Sequence, residues 1–208
     1  MKIAAIIPAF DEEKTVGNVV AAVLSANVTD EVIVVNDGST DRTSEVARAA
    51  GARVIDLQRN VGKGGAMKAG ADSTDAEILL FLDADLTGLT AQHLRALLEP
   101  VVADRADMTV GLFDEGRFAT DMAQKITPFL SGQRAMRRSI ITSVPYIEHT
   151  RYGVEMALSR YAEKHALRVL HVSLKNVAQV MKEEKRGLLR GLGARLRMYW
   201  EILRWTRE

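Results

Sequence analysis

Short apolar runs alternate with amphipathic segments along the first half of the chain. Ile3–Ile7 has the composition of a buried strand, and Val16, Val19, Val20 and Val23 then recur at the spacing of one helix face. Further apolar runs predict four more strands, in EVIVVNDGS, ARVIDLQ, EILLFLD and DMTVGLF, with helical segments between them. This alternation predicts an α/β domain with a mostly parallel sheet and helices on both faces.

Two helix ends are marked by residues of characteristic chemistry. Thr90 is a candidate N-cap for a helix that runs toward Val102, because its hydroxyl can accept a hydrogen bond from a free backbone N–H. Gly51 follows the predicted helix 41–50 at the position where a C-cap glycine belongs.

The pattern weakens after Phe113. The segment SGQRAMRRS is predicted to be a basic turn, residues 153–165 a helix and LRVLHVSL a last strand. The segment from Gly187 to the C-terminus is predicted to be an amphipathic helix.

Polar loops follow three of the predicted strands, after Pro8, Val35 and Leu82. Ligands of parallel α/β sheets bind at the carboxyl ends of the strands, so these loops form one candidate site. In the third loop, Asp83 and Asp85 are two residues apart, and alternate side chains of an extended segment point the same way. Their carboxylates therefore suit a hard cation such as Mg²⁺ or Mn²⁺, which commonly binds substrate phosphates as well. The alternative is that one aspartate only caps the next helix.

The loop VVNDGSTD has turn chemistry at Asp37, Gly38 and Ser39. Its acidic and hydroxyl groups could bind a base or a ribose. An ordinary strand-to-helix turn, with Thr40 or Asp41 as the N-cap, accounts for the same residues.

A glycine-rich segment, RNVGKGGAMKAG, precedes another predicted helix. Gly62, Gly64 and Gly65 are expected to let the backbone approach a ligand, and Lys63 to supply positive charge to a phosphate. The segment is not a P-loop, because a glycine follows Lys63 where Ser or Thr is required, and it lacks the dinucleotide pattern G-x-G-x-x-G.

Composition narrows the function classes. The chain has 208 residues, a net charge of +1 and no cysteine. The charge gives no general attraction to nucleic acid, and the lack of cysteine excludes disulfides and thiolate metal sites and fits a cytoplasmic protein. The four histidines have no metalloprotease spacing, there is no G-x-S-x-G nucleophile motif, and no apolar run has the length of a membrane span.

Several stretches in the same order resemble a family 2-type nucleotide-sugar glycosyltransferase with a GT-A fold. They are IIPAFDEEKTVGNVV, VVNDGSTDRT, NVGKGGAMKAG and LFLDADLTGL, followed by SGQRAMRR and RYGVEMAL. The pattern is most similar to the dolichyl-phosphate mannose synthase and glucosyl-3-phosphoglycerate synthase types. The resemblance implies a Rossmann-like three-layer sandwich over residues 1–186. It also implies metal-dependent transfer, with Mg²⁺ or Mn²⁺, from a UDP- or GDP-linked sugar to a lipid phosphate or a small hydroxylated or phosphorylated acceptor.

The resemblance also implies roles for individual residues. The nucleotide-sugar pocket would contain Pro8, Ala9, Phe10, Glu12, Asp37, Lys63, Asp83 and Ala84. Asp85 would hold the catalytic metal ion, with Asp83 and Gln179 as further ligands. Gly132, Gln133 and Arg134 would border the acceptor, and Glu155 would face the acceptor or the transferring sugar. An inverting enzyme with a hydroxyl acceptor also needs a general base, for which Glu155 and Asp114 are the candidates.

Two positions depart from the family pattern. Asn36 stands where the family usually has a first acid, and Gln179 stands where related enzymes often have a histidine ligand. These departures keep open a non-catalytic nucleotide-sugar-binding protein or membrane adaptor. A sugar-1-phosphate nucleotidyltransferase is another alternative, but it would carry a glycine- and arginine-rich loop where this chain has PAFDEEKT.

The C-terminal helix predicted over 187–208 has two alternative interpretations. It is basic and contains Trp200 and Trp205, which is typical of a helix lying on an anionic membrane surface, here the inner face. An amphipathic helix packed on the domain, or on a second subunit of a homodimer, accounts for the same pattern.

Overall fold

The computed structural model of the chain describes residues 1–113, 131–150 and 153–180. Within these residues, a seven-stranded sheet has the order β3-β2-β1-β4-β7-β6-β8. Its strands are β1 Ile3–Ala9, β2 Glu31–Asn36, β3 Arg53–Asp56, β4 Ile78–Phe81, β6 Met108–Phe113, β7 Arg134–Arg137 and β8 Val169–Leu174. All neighbouring pairs are parallel except those of β7, which is antiparallel to β4 and β6.

Helices cover both faces of this sheet. They are α1 Val16–Ala26, α2 Thr43–Ala49, α3 Lys63–Asp72, α4 Ala91–Val102, α5 Arg138–Ser143 and α6 Val154–Lys164, with a 3₁₀ turn at Ile147–His149. Successive strand residues enter opposite cores: Ala5 and Ile7 pack with α1 and α4, whereas Ala4 and Ile6 pack with α3 and α6. The prediction of a three-layer α/β sandwich with a mostly parallel sheet is confirmed.

Both predicted helix ends are confirmed. The Thr90 hydroxyl accepts the backbone N–H of His93, and the His93 ring accepts the N–H of Thr90, which completes a reciprocal capping box. Thr90 therefore caps α4, and neither Asp83 nor Asp85 does. Gly51, which follows the C-cap residue Ala50 of α2, has φ +98°, the left-handed conformation of a helix-ending glycine.

The prediction of a basic turn at SGQRAMRRS is wrong for its second half. Residues Arg134–Arg137 form β7, which lies in the middle of the sheet. Ala135 and Met136 enter the two opposite cores, so the segment has strand alternation that its arginines obscured. Arg137 lies at the strand end, where it pairs with Asp104 at 2.7 Å.

A second, two-stranded sheet was not predicted. It pairs β5, Leu86–Thr87, with β9, Ala178–Gln179, in antiparallel register. Gly88 has φ +74°, and a Cβ there would overlap the carbonyl oxygen of Asn176. This close approach places Gln179 beside the loop that follows β4.

Some predictions concern residues that the structure does not describe. Asp114 and the C-terminal helix 187–208 lie outside the described residues. Among the residues that are described, none of the helices has the length and apolar character needed to cross a membrane.

Candidate active site

The loops after β1 and β2 are joined by hydrogen bonds. The backbone N–H of Asp11 donates to Ser39 Oγ at 2.9 Å, and Asp11 Oδ1 accepts the N–H of Thr40 at 2.9 Å. The N–H of Glu12 donates to Thr43 Oγ1 at 2.7 Å. The predicted pocket segment from Pro8 to Glu12 is therefore held against the second predicted loop.

The side chains of this segment differ in exposure. Glu12 is buried, and its Oε2 accepts a hydrogen bond from Thr15 Oγ1 at 2.8 Å. Pro8 and Ala9 are the last two residues of β1, and Ala9 packs in the core. Phe10 is 38% exposed, so its ring offers an apolar surface at the rim of the candidate site.

Asp37 connects the second loop to the glycine-rich loop. Its Oδ1 accepts the N–H of Val61 at 2.7 Å, and its Oδ2 accepts the N–H of Gly62 at 2.9 Å. The side chain is 4% exposed. Asp37 therefore fixes the start of α3.

Asn36 has a structural role of its own. Its Nδ2 donates to Asp56 Oδ1 at 2.8 Å, and its Oδ1 accepts the N–H of Ser39 at 3.1 Å. The hydrogen bond from Asn36, followed by that from Arg48, lowers the pKa of Asp56 to about 2. A neutral amide thus stands next to a carboxylate, where a second acid would be repelled.

The space that a Cβ would occupy at Gly64 and Gly65 of α3 is filled by other parts of the protein. A Cβ on Gly64 would overlap the Ile147 carbonyl oxygen, and one on Gly65 would lie 2.6 Å from Val61 Cγ2. Both positions therefore let α3 pack closely against its own protein, and the expectation of ligand approach is wrong for them. Gly62 has φ +90° and forms the turn that leads into the helix.

Lys63, the first residue of α3, lies between two carboxylates. Its Nζ is 2.5 Å from Asp83 Oδ1 and 2.6 Å from Glu155 Oε1. Burial alone would lower the pKa of Lys63, but the charges of Asp83 and Glu155 outweigh it and raise the pKa above its ordinary value. Lys63 is therefore a stable cation, and Glu155, the predicted general base, is its counterion.

Asp83 accepts hydrogen bonds from three separate parts of the chain. Besides Lys63, Gln133 Nε2 donates to Asp83 Oδ2 at 2.8 Å, and Gln179 Nε2 donates to the same oxygen at 2.5 Å. Five of the predicted site residues thus meet at one point: Lys63, Asp83, Gln133, Glu155 and Gln179.

Ala84 and Asp85, the other two residues of the Asp83-Ala84-Asp85 loop, have different surroundings from Asp83. Ala84 packs in the hydrophobic core, so its side chain does not line the candidate pocket. Asp85 is 8% exposed, and its backbone oxygen accepts the N–H of Val180 at 3.0 Å. Pairing with the segment after β9 therefore holds the Asp85 backbone in place.

The donor set fits a divalent ion that is shared with a substrate. No group of three or more His, Asp or Glu side chains in the described parts of the chain is placed to hold a metal ion. Asp85 and Asp83 offer carboxylates, and Gln179 offers an amide. Mg²⁺ typically uses one or two carboxylates and takes its other ligands from phosphates and water, so this set suits a substrate-bound ion.

Two of the three predicted acceptor-side residues are enclosed by the protein. Gln133 is 0% and Arg134 is 1% exposed. Arg134 donates from Nε to the Ser131 carbonyl at 2.9 Å and from an Nη to Ser159 Oγ at 3.0 Å. Burial lowers the pKa of Arg134 to about 10 against the opposing effect of Glu155, so the guanidinium stays charged at neutral pH.

Gly132 lies directly against Asp83. A Cβ at this position would be 2.6 Å and 2.7 Å from the two carboxylate oxygens of Asp83 and close to Lys63 Nζ. Sequence reasoning missed this contact and the roles of Ser131 and Ser159. No signal in the sequence marked them, because the contacts depend on β7 lying next to β4.

Comparison with known sequences gives a family match over most of the chain. The family described as Glycosyl transferase family 2 matches residues 4–166. Glucosyl-3-phosphoglycerate synthase of Mycolicibacterium smegmatis is 28% identical over 190 residues, covering 75% of this chain and 62% of that protein. The 4,4'-diaponeurosporenoate glycosyltransferase of Staphylococcus aureus is 38% identical over 98 residues, covering 45% and 26%. The chain thus spans less than two thirds of the length of these curated relatives.

Solved structures have a similar fold. Glucosyl-3-phosphoglycerate synthase from Mycobacterium tuberculosis, in complex with Mn²⁺, UDP-glucose and phosphoglyceric acid, superposes with a TM-score of 0.75 at 27% identity, covering 93% of this chain and 75% of that one. The same enzyme with Mg²⁺ and UDP gives a TM-score of 0.74 at 26% identity, covering 86% and 72%.

Proposed function

Because the chain belongs to glycosyl transferase family 2, we propose that it is a metal-dependent glycosyltransferase that moves a sugar from a nucleoside-diphosphate sugar to an acceptor. The observation that carries the proposal is the convergence of Lys63 and Gln179 on Asp83, beside Asp85, at the carboxyl end of β4, with Glu155 paired to the same Lys63. This edge is where parallel α/β sheets bind nucleotides.

A UDP-linked sugar is the favoured donor, with a GDP-linked sugar as the alternative. The similar synthase structures contain UDP or UDP-glucose, which supports uridine as the base. In this chain, the joined loops after β1 and β2 would form the nucleoside side of the pocket. The exposed ring of Phe10 can stack on a base, while Glu12 and Asp37 hold the surrounding backbone.

Asp85 would hold the divalent ion, with Asp83 and Gln179 next to it. When bound, such an ion neutralises charge on the leaving nucleoside diphosphate. Lys63 contributes fixed positive charge at the start of α3. Because two carboxylates balance this charge, Lys63 would orient the diphosphate side of the site rather than act as a proton donor.

The acceptor determines what Glu155 must do. We favour a small phosphorylated molecule over a lipid phosphate, because one of the similar synthase structures contains phosphoglyceric acid. A hydroxyl acceptor requires a general base, and Glu155 would serve only if Oε2, the oxygen opposite the Lys63 contact, faces the acceptor. An anionic phosphate acceptor would need no base.

Calorimetry tests the donor site directly. UDP, GDP and their sugars are titrated into the wild-type protein and Asp85→Ala, with and without Mn²⁺. We expect Mn²⁺-dependent binding of a nucleotide sugar by the wild type and its loss in Asp85→Ala. Asp72→Ala is the control, because Asp72 pairs with Lys68 on the exposed side of α3. Equal binding with and without Mn²⁺, or in Asp85→Ala, contradicts the proposal.

Product analysis separates the alternatives. Sugar transfer, or slow hydrolysis of the nucleotide sugar, supports the glycosyltransferase. Binding with neither reaction favours a non-catalytic binding protein, and pyrophosphate release from a nucleoside triphosphate and a sugar 1-phosphate identifies a nucleotidyltransferase.

Membrane contact, dimerisation and cytoplasmic location stay predictions. Liposome sedimentation of the full chain and of a chain truncated after Glu184 tests the first. Equal binding by both chains contradicts a membrane role for the C-terminal segment.

A further inference from the structure

The segment from Ser131 to Gln133 lies against one side of the Asp83 carboxylate. Gly132 lies so close that a Cβ would reach both carboxylate oxygens. Gln133 then donates from Nε2 to Asp83 Oδ2 at 2.8 Å. The residues just before β7 therefore contact Asp83 through both backbone and side chain.

The orientation of the Gln133 amide follows from its two neighbours. Ser131 Oγ lies 2.9 Å from Gln133 Oε1 and within hydrogen-bond distance of the Gly111 carbonyl oxygen on β6, so its single hydrogen is shared between these two acceptors. Because a carboxylate only accepts hydrogen bonds, the amide must present its N–H₂ group to Asp83, which turns its oxygen toward Ser131. Gln133 is 0% exposed, so its side chain does not reach a substrate directly.

We propose that Gln133 is a positioning residue that holds the Asp83 carboxylate in the orientation required for donor binding. The inference rests on the proposed glycosyltransferase function. Lys63 binds Oδ1 and Gln133 binds Oδ2, so the two contacts together fix the rotation of the carboxylate plane. Gln179 also reaches Oδ2, but it is exposed on a two-residue strand and is a less rigid donor.

A neutral donor suits this position. A buried carboxylate needs hydrogen bonds to its oxygens, and Lys63 already supplies a positive charge. Glutamine adds a directional hydrogen bond without neutralising the Asp83 charge further. Gln133 was expected to border the acceptor. In this arrangement it acts instead by orienting the Asp83 carboxylate.

Steady-state kinetics with two Gln133 variants tests the proposal. Gln133→Met keeps a similar volume but lacks the donor, and Gln133→Glu places an acceptor against Asp83. Loss of an outer hydrogen-bond partner in such sites typically lowers activity about 10- to 100-fold, so we expect that loss in kcat/KM for the donor with Gln133→Met. Gln133→Glu should lose more, because two carboxylates then face each other.

The acceptor KM separates positioning from acceptor binding. We expect it to stay within about twofold of wild type in Gln133→Met, whereas a side chain that binds the acceptor would raise it. Gln92→Glu, an exposed change on α4, is the control and should keep wild-type kinetics. Wild-type kcat/KM for the donor in Gln133→Met, or a change confined to the acceptor KM, overturns the proposal.

Exchanging the carboxylate of Asp83 and the amide of Gln133 tests the hydrogen bond between them in the absence of substrate. Asp83→Asn with Gln133→Glu restores a hydrogen bond with donor and acceptor exchanged. We expect this double variant to unfold at a higher urea concentration than Gln133→Glu alone, yet to remain inactive because Asp83 has lost its charge. Additive effects on unfolding contradict the contact and the proposal.

The two proposals fail in different ways. If the wild-type chain neither binds nucleotide sugars nor transfers sugar, the proposed function is wrong, whatever the unfolding data show. If the wild type is active but Gln133→Met is equally active, only the positioning role is wrong.

Discussion

Lys63 Nζ lies 2.6 Å from Glu155 Oε1, although 92 residues separate the two in the chain. The contact joins the first turn of α3 to the first turn of α6 across the candidate site. With Asp83 it forms a group of one cation and two anions, each less than a third exposed. Removing the charge of any one of these three side chains therefore changes the net charge of the group.

Lys63→Met should destabilise the protein, because it leaves Asp83 and Glu155 facing each other without their counterion. Breaking a buried ion pair from one side costs about 3–5 kcal/mol, and we expect about 3 kcal/mol here because part of the lysine is exposed. Urea unfolding at neutral pH measures the difference in the free energy of unfolding.

Lys68→Met is the matched control for this change. Lys68 lies on the same helix and pairs with Asp72, one turn further along, but both of these side chains are more than a third exposed. Exposed pairs of this kind contribute about 0.5 kcal/mol or less. Equal losses in the free energy of unfolding from Lys63→Met and Lys68→Met would show that the ion pairs of Lys63 contribute no more to stability than an exposed pair.

Gly132→Ala should reduce both stability and activity. The added Cβ would lie 2.6 Å from Asp83 Oδ1, so either the carboxylate or the backbone just before β7 must move. Overpacking of this kind costs about 1–3 kcal/mol. We also expect at least a tenfold loss in kcat/KM for the donor, measured with the same assay as for the wild type.

Gly153→Ala is the control for the added methyl group. A Cβ at Gly153 meets nothing within 4 Å, so the change at the start of α6 should cost about 1 kcal/mol at most, as a helix-cap effect. If Gly153→Ala lowers activity as much as Gly132→Ala does, crowding of Asp83 is not the cause.

Asn36→Asp, which introduces the acid expected at this position from the family resemblance, should destabilise this protein at neutral pH. It replaces the hydrogen bond to Asp56 with repulsion between two carboxylates. In the wild type, the lowered pKa of Asp56 stabilises the fold above about pH 4, and this contribution is lost as the pH falls toward 2. In the variant, the neighbouring carboxylate at position 36 raises the pKa of Asp56 instead of lowering it. Acid that protonates either carboxylate relieves the repulsion, so the stability difference between the variant and the wild type should shrink as the pH falls.

Urea midpoints of both proteins between pH 7 and pH 3 measure this dependence. Adding Asp56→Asn to Asn36→Asp lets the hydrogen bond re-form in reverse and should recover part of the loss, although Arg48 then loses its partner. A deficit that is constant with pH would exclude carboxylate repulsion as the cause.

Local sequence patterns were sufficient to predict several features of the site. The ends of β1, β2 and β4 were predicted from apolar runs that stop at polar residues, and Thr90 was predicted as the cap of α4. These features depend on neighbouring residues only. Strand order and parallel direction then bring the three loops to one edge of the sheet.

The contacts among the site residues could not be predicted in this way. Gln133 was predicted to lie in a basic turn, because the arginines around Ala135 and Met136 obscured their strand alternation. The glycines of α3 suggested ligand contact, but the partner that requires Gly64 is the turn at Ile147. In both cases the deciding neighbour is distant in the chain.

The amino-acid order alone therefore determined the layered α/β architecture and the polar strand ends, since periodicity and turn chemistry act over a few residues. The tertiary structure decided how their charges are used. It inserts the antiparallel strand β7 beside β4, which brings Gln133 to Asp83, and it pairs β9 with β5, which brings Gln179 there. Lys63 reaches the same carboxylate from the start of α3. Such hydrogen bonds form only where long-range packing brings each donor within about 3 Å of its acceptor.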